Sequence, residues 1–522
     1  MAKVKIGWSE INLTPDKKIS LAGQFAERIS QYVEKPLTAT AMAVECGGDQ
    51  MVMVSCDLVS LQYTWMLRVR ELLKDNKEGL DPEKVMACAI HTHTGYRPGG
   101  SNRTAAYTRE GFRDNKEILA QYLKPGQKYV ERENVSDNPE IMSTKEGFEL
   151  STRKVAEAAL EAWKNRKEAS FANAFDRAAV GMGRRVDYTD NTAQMWGNAN
   201  TAVFTEIEGG SDTGVELLYC FDAQDKLTGV VVNLACPAQC VQHRLFVSPD
   251  YWGEAKKLIR ERFGEDVFVL PLCSPAGDQC PVDLVRWVNP DTDVHDPNLI
   301  RHNPPVRKAD PSMFDLEGMR KAGRRVANAV RDAWEDGIGE HQSDIKFEHR
   351  VLNVKLPLRR ATLTEYNNAV KAVEDFVRVT DRDVDFNDLA NLQQYLGIIR
   401  RFDLQERVQV LETEIHVIRM GSVAFATDPF ELFLDYANQI KARQYCEQSF
   451  LVQLCCGSEG YLPTAKAEAH GHYSAFIPSG YIGHEGGDML VRETLNEINQ
   501  MFDGDYKVYT YPDGYCQDLC AK

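Results

Sequence analysis

The chain of 522 residues lacks long hydrophobic segments and is poor in basic residues. No apolar run approaches the roughly 20 residues that cross a bilayer, so we expect no stable membrane insertion. Lysine and arginine number 61, aspartate and glutamate number 77, and the net charge is −16. Because an acidic surface repels phosphate backbones, this balance argues against nucleic acid as a partner. A small-molecule substrate is the expected partner, and the sequence is compatible with a homo-oligomer.

The sequence also lacks the pattern of a leader segment and the CxxC spacing of cysteines. Residues 4–11 are predicted to be a short amphipathic strand, which is unlike the apolar segment of a signal peptide. The 13 cysteines include no CxxC pair, and several lie in apolar runs. In a chain of this length, such cysteines indicate reduced, buried thiols rather than a disulfide framework. We therefore expect a cytoplasmic protein.

Internal repeats and low-complexity segments are also missing from the sequence. Predicted strands and helices alternate through the chain, beginning with a β-β-α-β order in residues 38–90. This order predicts an α/β fold of mixed sheets with flanking helices. The pattern changes after the polar stretch 337–344. We therefore expect an N-terminal α/β part (1–340) and a C-terminal α/β part (341–522) that completes the active site.

Two long stretches interrupt this alternation. Residues 101–144 are polar with weak periodicity, and we predict a loop with a short helix at 116–123 that covers the site as a lid. Residues 457–487 hold seven glycines, three histidines and three tyrosines. We predict that they form a loop region which builds the site, followed by a helix at 489–502.

The first chemical signal is the motif His91-Thr92-His93, at the end of a predicted apolar strand. In a strand, residues i and i+2 point to the same face, so both imidazoles could reach one site. Paired imidazoles are good zinc ligands, and strand ends of α/β sheets commonly hold ligands. An isolated motif of this kind is as often a pair of ordinary polar residues. The other strand ends must decide between these interpretations.

Polar or metal-ligating residues end several other predicted strands. Each alone has an ordinary explanation, such as a helix cap, a turn hydrogen bond or a packed aromatic ring. Their recurrence at corresponding places is typical of an α/β active site. These residues are Asp57, Arg184 with Arg185, Cys236, Asp278, Glu431 and Tyr461.

Around these positions the sequence resembles the neutral ceramidases, a family of zinc-dependent amidases. The segment 89–100 resembles their THTHxGPGG motif, and 277–281 resembles their GDxSP motif. Residues 429–431 resemble a PGE motif that supplies a zinc-binding carboxylate, and 461–464 resemble a YxTT motif whose tyrosine binds the metal. The similarity extends weakly from about residue 4 to 502. It implies the fold of the family's catalytic domain without its C-terminal immunoglobulin-like domain.

The resemblance also implies a metal, Zn²⁺ or another divalent ion, and roles for individual residues. It makes His91, Glu431 and Tyr461 metal ligands, and it makes His93 either the general acid or base or a hydrogen-bond partner of the substrate. Arg184 (or Arg185) and Tyr473 would stabilise negative charge on the substrate. Asp57 and Asp278 would position neighbouring groups.

One position departs from the family. Counting back from Asp250 by the family's spacing, Cys236 stands where a zinc-binding histidine is expected. Three explanations are open. Cys236 binds as a thiolate, which zinc accepts; His243 in the following loop takes its place; or the metal is lost or changed. Three further histidines could contribute ligands, namely His470, His472 and His484.

The predicted function is hydrolysis of a C–N or C–O bond by metal-activated water. The polar and aromatic residues of 457–487 suit a hydroxyl-rich substrate such as a sugar or cyclitol derivative. A metal-dependent lyase or isomerase on sugar derivatives is one alternative. A catalytically inactive protein that binds a metabolite is another.

Overall fold

The computed structural model describes residues 2–24, 26–103, 113–131, 138–288, 308–310 and 314–505. Its first main feature is an eight-stranded sheet. The strand order is β8-β7-β6-β5-β1-β2-β3-β4, antiparallel except for the pairs β3–β4 and β7–β8. The strands are β1 (Lys5–Asn12), β2 (Thr38–Cys46), β3 (Asp49–Cys56), β4 (Val85–Ala89), β5 (Lys167–Arg177), β6 (Gly214–Asp222), β7 (Leu227–Leu234) and β8 (Phe268–Cys273).

A four-stranded sheet follows in the second part of the chain. Its order is β9-β10-β11-β12, and its last pair is parallel. Its strands β10 and β11 form an antiparallel hairpin with Gly421 at the turn. The strands are β9 (Phe347–Pro357), β10 (Val410–Met420), β11 (Val423–Thr427) and β12 (Gln448–Val452).

Helices cover both sheets. Ser143 caps the long helix α3 in a capping box with Glu146, which explains why this helix begins at Thr144. Among the described residues, no helix is both long and apolar enough to cross a bilayer. The α-helices are α1 (Tyr63–Leu73), α2 (Asn115–Ala120), α3 (Thr144–Lys164), α4 (Tyr251–Phe263), α5 (Asp315–Asp336), α6 (Leu363–Val379), α7 (Phe386–Leu404), α8 (Leu434–Arg443), α9 (Ala465–His470) and α10 (His484–Met501).

The two sheets contain three copies of one β-β-β-α-β unit. In each unit three strands pair antiparallel, and a helix then leads to a fourth strand that is parallel to the third. The units are β1–β3 with α1 and β4, β5–β7 with α4 and β8, and β9–β11 with α8 and β12. The three units do not resemble one another in sequence. The same strand arrangement needs only apolar residues on the buried strand faces, and many combinations of residues provide them.

One hydrophobic core joins the three units. It contains Trp8 of the first unit, Leu270 of the second, and Phe425 and Phe450 of the third. The last two rings are stacked with their centroids 4.7 Å apart. Because the units share this core, the ends of their third and fourth strands are held in fixed relation to one another.

Short paired segments lie beyond these strand ends. Glu431–Leu432 pairs in parallel with Tyr461–Leu462, and Gln279–Cys280 pairs with Met182–Gly183. A small three-stranded sheet has Arg185–Tyr188 at its centre. It is flanked by Ala193–Met195 and Phe204–Ile207. The other short pairs are Ala2–Lys3 with Asp344–Ile345, Tyr32–Val33 with Phe246–Val247, and Asp283–Val288 with Lys308–Asp310.

The second of the two interrupting stretches is more helical than predicted. In 457–487 the short helix α9 is present, and α10 begins at His484 rather than at 489. Glycines are tolerated in its first turn because a Cβ on Gly487 would lie 2.4 Å from the Tyr436 hydroxyl. In 101–144 the short predicted helix is confirmed as α2, which packs against α7. Residues 104–112 and 132–137 of the predicted lid lie outside the described residues.

A buried ion pair connects the first unit to the second. Asp57 directly follows β3, and its carboxylate oxygens lie 3.0 and 3.1 Å from the Nζ atom of Lys256 in α4. Thr38 also donates to Asp57 from its backbone N–H, at 2.8 Å. Both charged side chains are almost fully buried. The loss of either partner would leave the other buried without a counter-charge.

We therefore expect Lys256→Met to lower the free energy of unfolding by about 3–5 kcal/mol, because it leaves the Asp57 carboxylate unpaired. Urea unfolding measures this loss. Lys257→Met is the matched control, since Lys257 is exposed and pairs with Glu261 at 3.7 Å. The control should cost no more than about 1 kcal/mol. Equal losses for the two variants would contradict the assignment.

Candidate functional site at the strand ends

Three of the predicted site residues meet where strands of the first and third units end. His91 follows β4, Glu431 follows β11, and Tyr461 follows β12. The Nε2 atom of His91 lies 3.6 Å from a carboxylate oxygen of Glu431. Glu431 and Tyr461 are direct partners in their short parallel ladder. Backbone pairing thus fixes the carboxylate and the phenol side by side, opposite the imidazole.

His91 has an unusual backbone conformation. Strand β4 ends at Ala89, and His91 has a φ of +64°, which is uncommon for a residue with a side chain. The argument from strand alternation therefore does not apply to His91 and His93, although their ring centroids are 4.9 Å apart. The Nδ1 atom of His91 lies 2.7 Å from the Val59 carbonyl. Donation to that carbonyl leaves the Nε2 lone pair facing Glu431.

Arg184 brings a positive charge to this cluster. It donates from Nη2 to the Tyr461 hydroxyl at 3.2 Å and to the Gly277 carbonyl at 2.6 Å. Burial raises the pKa of Tyr461, and the nearby Glu431 raises it further, whereas Arg184 acts in the opposite direction. The guanidinium therefore favours negative charge on the phenol oxygen.

Tyr473 packs on the other side of Tyr461. Their rings meet edge to face with centroids 5.6 Å apart. Tyr473 is half-buried, and burial raises the pKa of its hydroxyl. At neutral pH its hydroxyl is protonated and can donate a hydrogen bond.

His93 is buried beneath a loop from the start of the chain. The Gln239 side-chain nitrogen lies 3.2 Å from its Nε2 atom, and a Cβ on Gly23 would lie 2.3 Å from its ring. Burial holds the pKa of His93 well below its usual range, so the imidazole is neutral at pH 7. Arg28 donates to the His93 carbonyl at 2.6 Å. These contacts fix both the backbone and the ring.

Sequence reasoning missed the residues that hold His93. Gly23 and Arg28 are more than 60 positions away in the chain, and Gln239 is 146 positions away. Arg28 is almost fully buried and also donates to the carbonyls of Ala22 and Arg244. No local pattern marks such residues. The only local feature is a short polar loop that contains an arginine and a glycine. Such loops are common at protein surfaces and do not indicate a buried arginine.

The two candidates for the missing histidine ligand make contacts with other groups. Among the described residues, neither joins His91 and Glu431 in a group whose ligand atoms all lie within 4.8 Å of one another. Cys236 is fully buried, which raises the pKa of its thiol well above the usual value, and its Sγ lies 3.4 Å from the Pro237 carbonyl. His243 packs edge to face on Phe314, with ring centroids 5.6 Å apart.

The three histidines of the 457–487 region also make other contacts. His472 accepts a hydrogen bond from the Met195 N–H at 3.1 Å. His484 lies 3.0 Å from a carboxylate oxygen of Glu468. His470 lies beside two buried carboxylates of the small three-stranded sheet.

Asp278, which follows β8 of the second unit, contacts the segment that carries Glu431. One of its oxygens accepts a hydrogen bond from the Leu434 N–H, at 2.9 Å, at the start of α8. The adjacent Gly277 is so close to Glu431 that a Cβ would lie 2.2 Å from the Glu431 carbonyl. Burial raises the pKa of Asp278 to about 6. Asp278 thus holds the backbone that carries Glu431.

A cavity of about 500 Å³ opens beside the two tyrosines. One wall is the polar face of α7, with Asn391, Gln393 and Gln394. Tyr461 and Tyr473 also line it. The cavity therefore combines amide side chains with aromatic rings, and Tyr461 connects it to Glu431. The remaining lining residues are Ala390, Phe476, Pro478 and Ser479.

Comparison with known proteins agrees with the sequence resemblance. No protein-family model matches the sequence, and neither does any curated protein. Two solved structures are similar along nearly the whole chain. The neutral ceramidase from Pseudomonas aeruginosa has a TM-score of 0.63 and 14% identity, with 98% of this chain and 76% of that chain covered. The protein has the neutral ceramidase fold.

A second structure, a ceramidase complexed with C2, gives a TM-score of 0.64 at 14% identity, with 98% of this chain and 77% of that chain covered. The expected fold class is confirmed, because both neighbours match the mixed α/β architecture. At this level of identity the likeness concerns the ceramidase fold alone. The roles of individual residues must be argued from their geometry.

The buried carboxyl group of Asp428 makes the stability of the Glu431 segment dependent on pH. Asp428 lies three residues before Glu431, and its carboxyl accepts the Phe430 N–H at 2.9 Å. Burial raises the pKa of Asp428 to about 8, whereas the unfolded chain has the ordinary value near 3.9. Between these values the folded state binds more protons than the unfolded state. Stability contributed by this group therefore falls as pH rises from about 4 to 8.

We expect Asp428→Asn to reduce this fall, by up to about 1.4 kcal/mol per pH unit, because the amide cannot ionise. Urea unfolding at several pH values between 5 and 8 measures the slope. Asp75→Asn is the control, since Asp75 is exposed. An unchanged slope in the Asp428 variant would show that this carboxyl ionises freely in the folded protein.

Proposed function

We propose that the protein is a metal-dependent hydrolase that acts on a small polar substrate at a C–N or C–O bond. The supporting observation is the convergence of His91 Nε2, Glu431 and Tyr461, with Arg184 beside them, together with a cavity that Tyr461 lines with amide side chains. The neutral ceramidase fold supports a hydrolase in general terms. The substrate proposal depends on the cavity.

The donor set fits a divalent metal, with Zn²⁺ as the proposed ion. His91 offers a lone pair at Nε2 while its Nδ1 contacts a carbonyl, which is the usual arrangement of a metal-binding imidazole. Three protein ligands with an open position are typical of catalytic zinc sites. A fourth ligand from Cys236 or His243 would require a rearrangement. A divalent metal held there would act as a Lewis acid and would make water more acidic.

The surrounding residues supply the proton transfer and the charge stabilisation. Neutral His93 can accept a proton from water and return it to the leaving group, once Gln239 releases its Nε2 atom. Arg184 and the Tyr473 hydroxyl stabilise negative charge that develops on the substrate oxygen. Asp278 and Asp57 act indirectly, because they hold the backbone of the segments that follow β11 and β3.

The cavity favours a hydroxyl-rich substrate such as a sugar or cyclitol derivative. Amide side chains form hydrogen bonds with hydroxyl groups, and aromatic rings cover the apolar faces of sugars. A long acyl chain would instead need a continuous apolar groove, and three of the nine lining residues are Asn or Gln. A metal-dependent lyase or isomerase could use the same site. An inactive metabolite-binding protein would keep the cavity but not the metal chemistry.

We expect His91→Ala to lose bound metal and to lower kcat/KM by about 100-fold or more, because a ligand is removed. Metal analysis of the purified variant and assays before and after chelation measure both effects. His484→Ala is the control, since its imidazole pairs with Glu468 instead. A metal-free wild-type protein with full activity would end the proposal.

Hydrolysis also predicts where solvent oxygen goes. With N-acylated amino sugars and simple glycosides as substrates, reaction in ¹⁸O-labelled water should place one label in a product, as mass spectrometry can detect. An unlabelled product would favour the lyase or isomerase. Binding without turnover in a metal-replete sample would favour the inactive protein. A short-chain N-acylsphingosine tests the apolar alternative directly.

A further inference from the structure

We propose a second metal site, distinct from the His91 cluster, in which Asp187, Glu208 and His470 bind a divalent transition metal such as Zn²⁺ or Mn²⁺. Asp187 lies on the central strand of the small three-stranded sheet, and Glu208 directly follows the strand Phe204–Ile207. His470 is the last residue of α9. The site would therefore join that sheet to the segment that leads to Tyr473.

The spacing of the three side chains is that of metal ligands. His470 Nδ1 lies 3.2 Å from Asp187 Oδ2 and 3.3 Å from Glu208 Oε2. The three ligand atoms all lie within 4.8 Å of one another. Donors about 2.1 Å from a shared metal are separated by about 3.0–3.4 Å when they subtend angles of 90–110°. Two carboxylate oxygens and one imidazole nitrogen suit a transition metal.

The hydrogen bonding of these atoms supports this interpretation. Within the described part of the chain, both oxygens of Asp187, Oε2 of Glu208 and Nδ1 of His470 are buried without a hydrogen bond of acceptable geometry. The carboxylates of Asp187 and Glu208 are 98% and 97% buried by residue. Buried carboxylate oxygens without hydrogen bonds are costly. A cation between them would remove that cost.

The charges around the site leave room for a cation. Arg185 pairs with Glu208 through Oε1, so Oε2 is left for the site. Lys466 lies 3.1 Å from Asp187 Oδ2 and is the competing cation. It is 43% exposed and also pairs with Glu206, so it can withdraw towards solvent.

A second group of three ligand types does not support a metal site in the same way. Glu414, His416 and Cys456 also lie within 4.8 Å of one another. Arg70 already fills their centre, since its Nη2 lies 2.6 Å from Glu414 and 3.5 Å from His416. A guanidinium fixed by two such contacts excludes a second cation. This difference separates the proposed site from an ordinary ion-pair cluster.

The consequence of the site is control of the segment after α9. Arg185 donates to the Gly471 and Tyr473 carbonyls at 2.8 and 3.0 Å, next to His470. Metal binding at His470 would add a strong contact to the same segment. The site is therefore expected to stabilise the position of Tyr473 without touching the substrate.

The test is metal stoichiometry and thermal stability of the full chain. Metal-free protein is dialysed against buffered Zn²⁺ and analysed for bound metal. We expect two equivalents in the wild type, one in His470→Ala and one in the more conservative Asp187→Asn. His484→Ala is the matched control and should keep two. Added Zn²⁺ should raise the Tm of His91→Ala through the second site, and this rise should be absent in His91→Ala combined with His470→Ala.

Lys466→Met should strengthen metal binding at this site, whereas the ligand substitutions should abolish it. Because the lysine variant removes the competing cation, it should tighten Zn²⁺ binding at this site by about two- to fivefold. If His470→Ala and Asp187→Asn bind as much metal as the wild type, the second site does not exist. If the wild type binds one equivalent that His470→Ala loses and His91→Ala keeps, the second site stands and the proposed hydrolase centre fails.

Discussion

Parallel pairing between the third and fourth strands of each unit determines where the chemistry can take place. Antiparallel hairpins would send successive strand ends to opposite edges, whereas a helical crossover returns the fourth strand beside the third in the same direction. The segments after β3 and β4, β7 and β8, and β11 and β12 therefore leave the sheets side by side. A shared core holds the three units together. Convergence of the site residues follows from this arrangement.

The first unit contributes His91 and His93, but its strands alone do not orient them. The burial of His93 beneath Gly23 depends on a loop that Arg28 fastens through three carbonyls. The arginine is nearly fully buried, and burial lowers its pKa to about 10. The placement of the His93 imidazole thus involves a buried cation, satisfied by backbone oxygens, at the base of the site.

Much of the fold could be predicted from the sequence, since amphipathic periodicity and helix caps act locally. Strand ends and short motifs also indicated His91, Glu431 and Tyr461 as neighbours. The ligand question at Cys236 could not be settled this way, because it depends on where a fully buried thiol lies relative to Glu431. The helix start at His484 was missed because two glycines in its first turn reduce local helix propensity. The helix nevertheless begins there because Gly487 packs closely on Tyr436.

Two adjacent arginines connect the proposed hydrolase centre to the proposed second site. Arg184 contacts Tyr461 and the Gly277 carbonyl, whereas Arg185 contacts Glu208 and the segment of Tyr473. Successive residues of an extended chain point to opposite faces, so one short stretch serves both sites. A change at Glu208 would reach Tyr473 through Arg185 and the backbone, with Arg184 in place. The second site would therefore affect the geometry around the substrate while the ligands of the first stay unchanged.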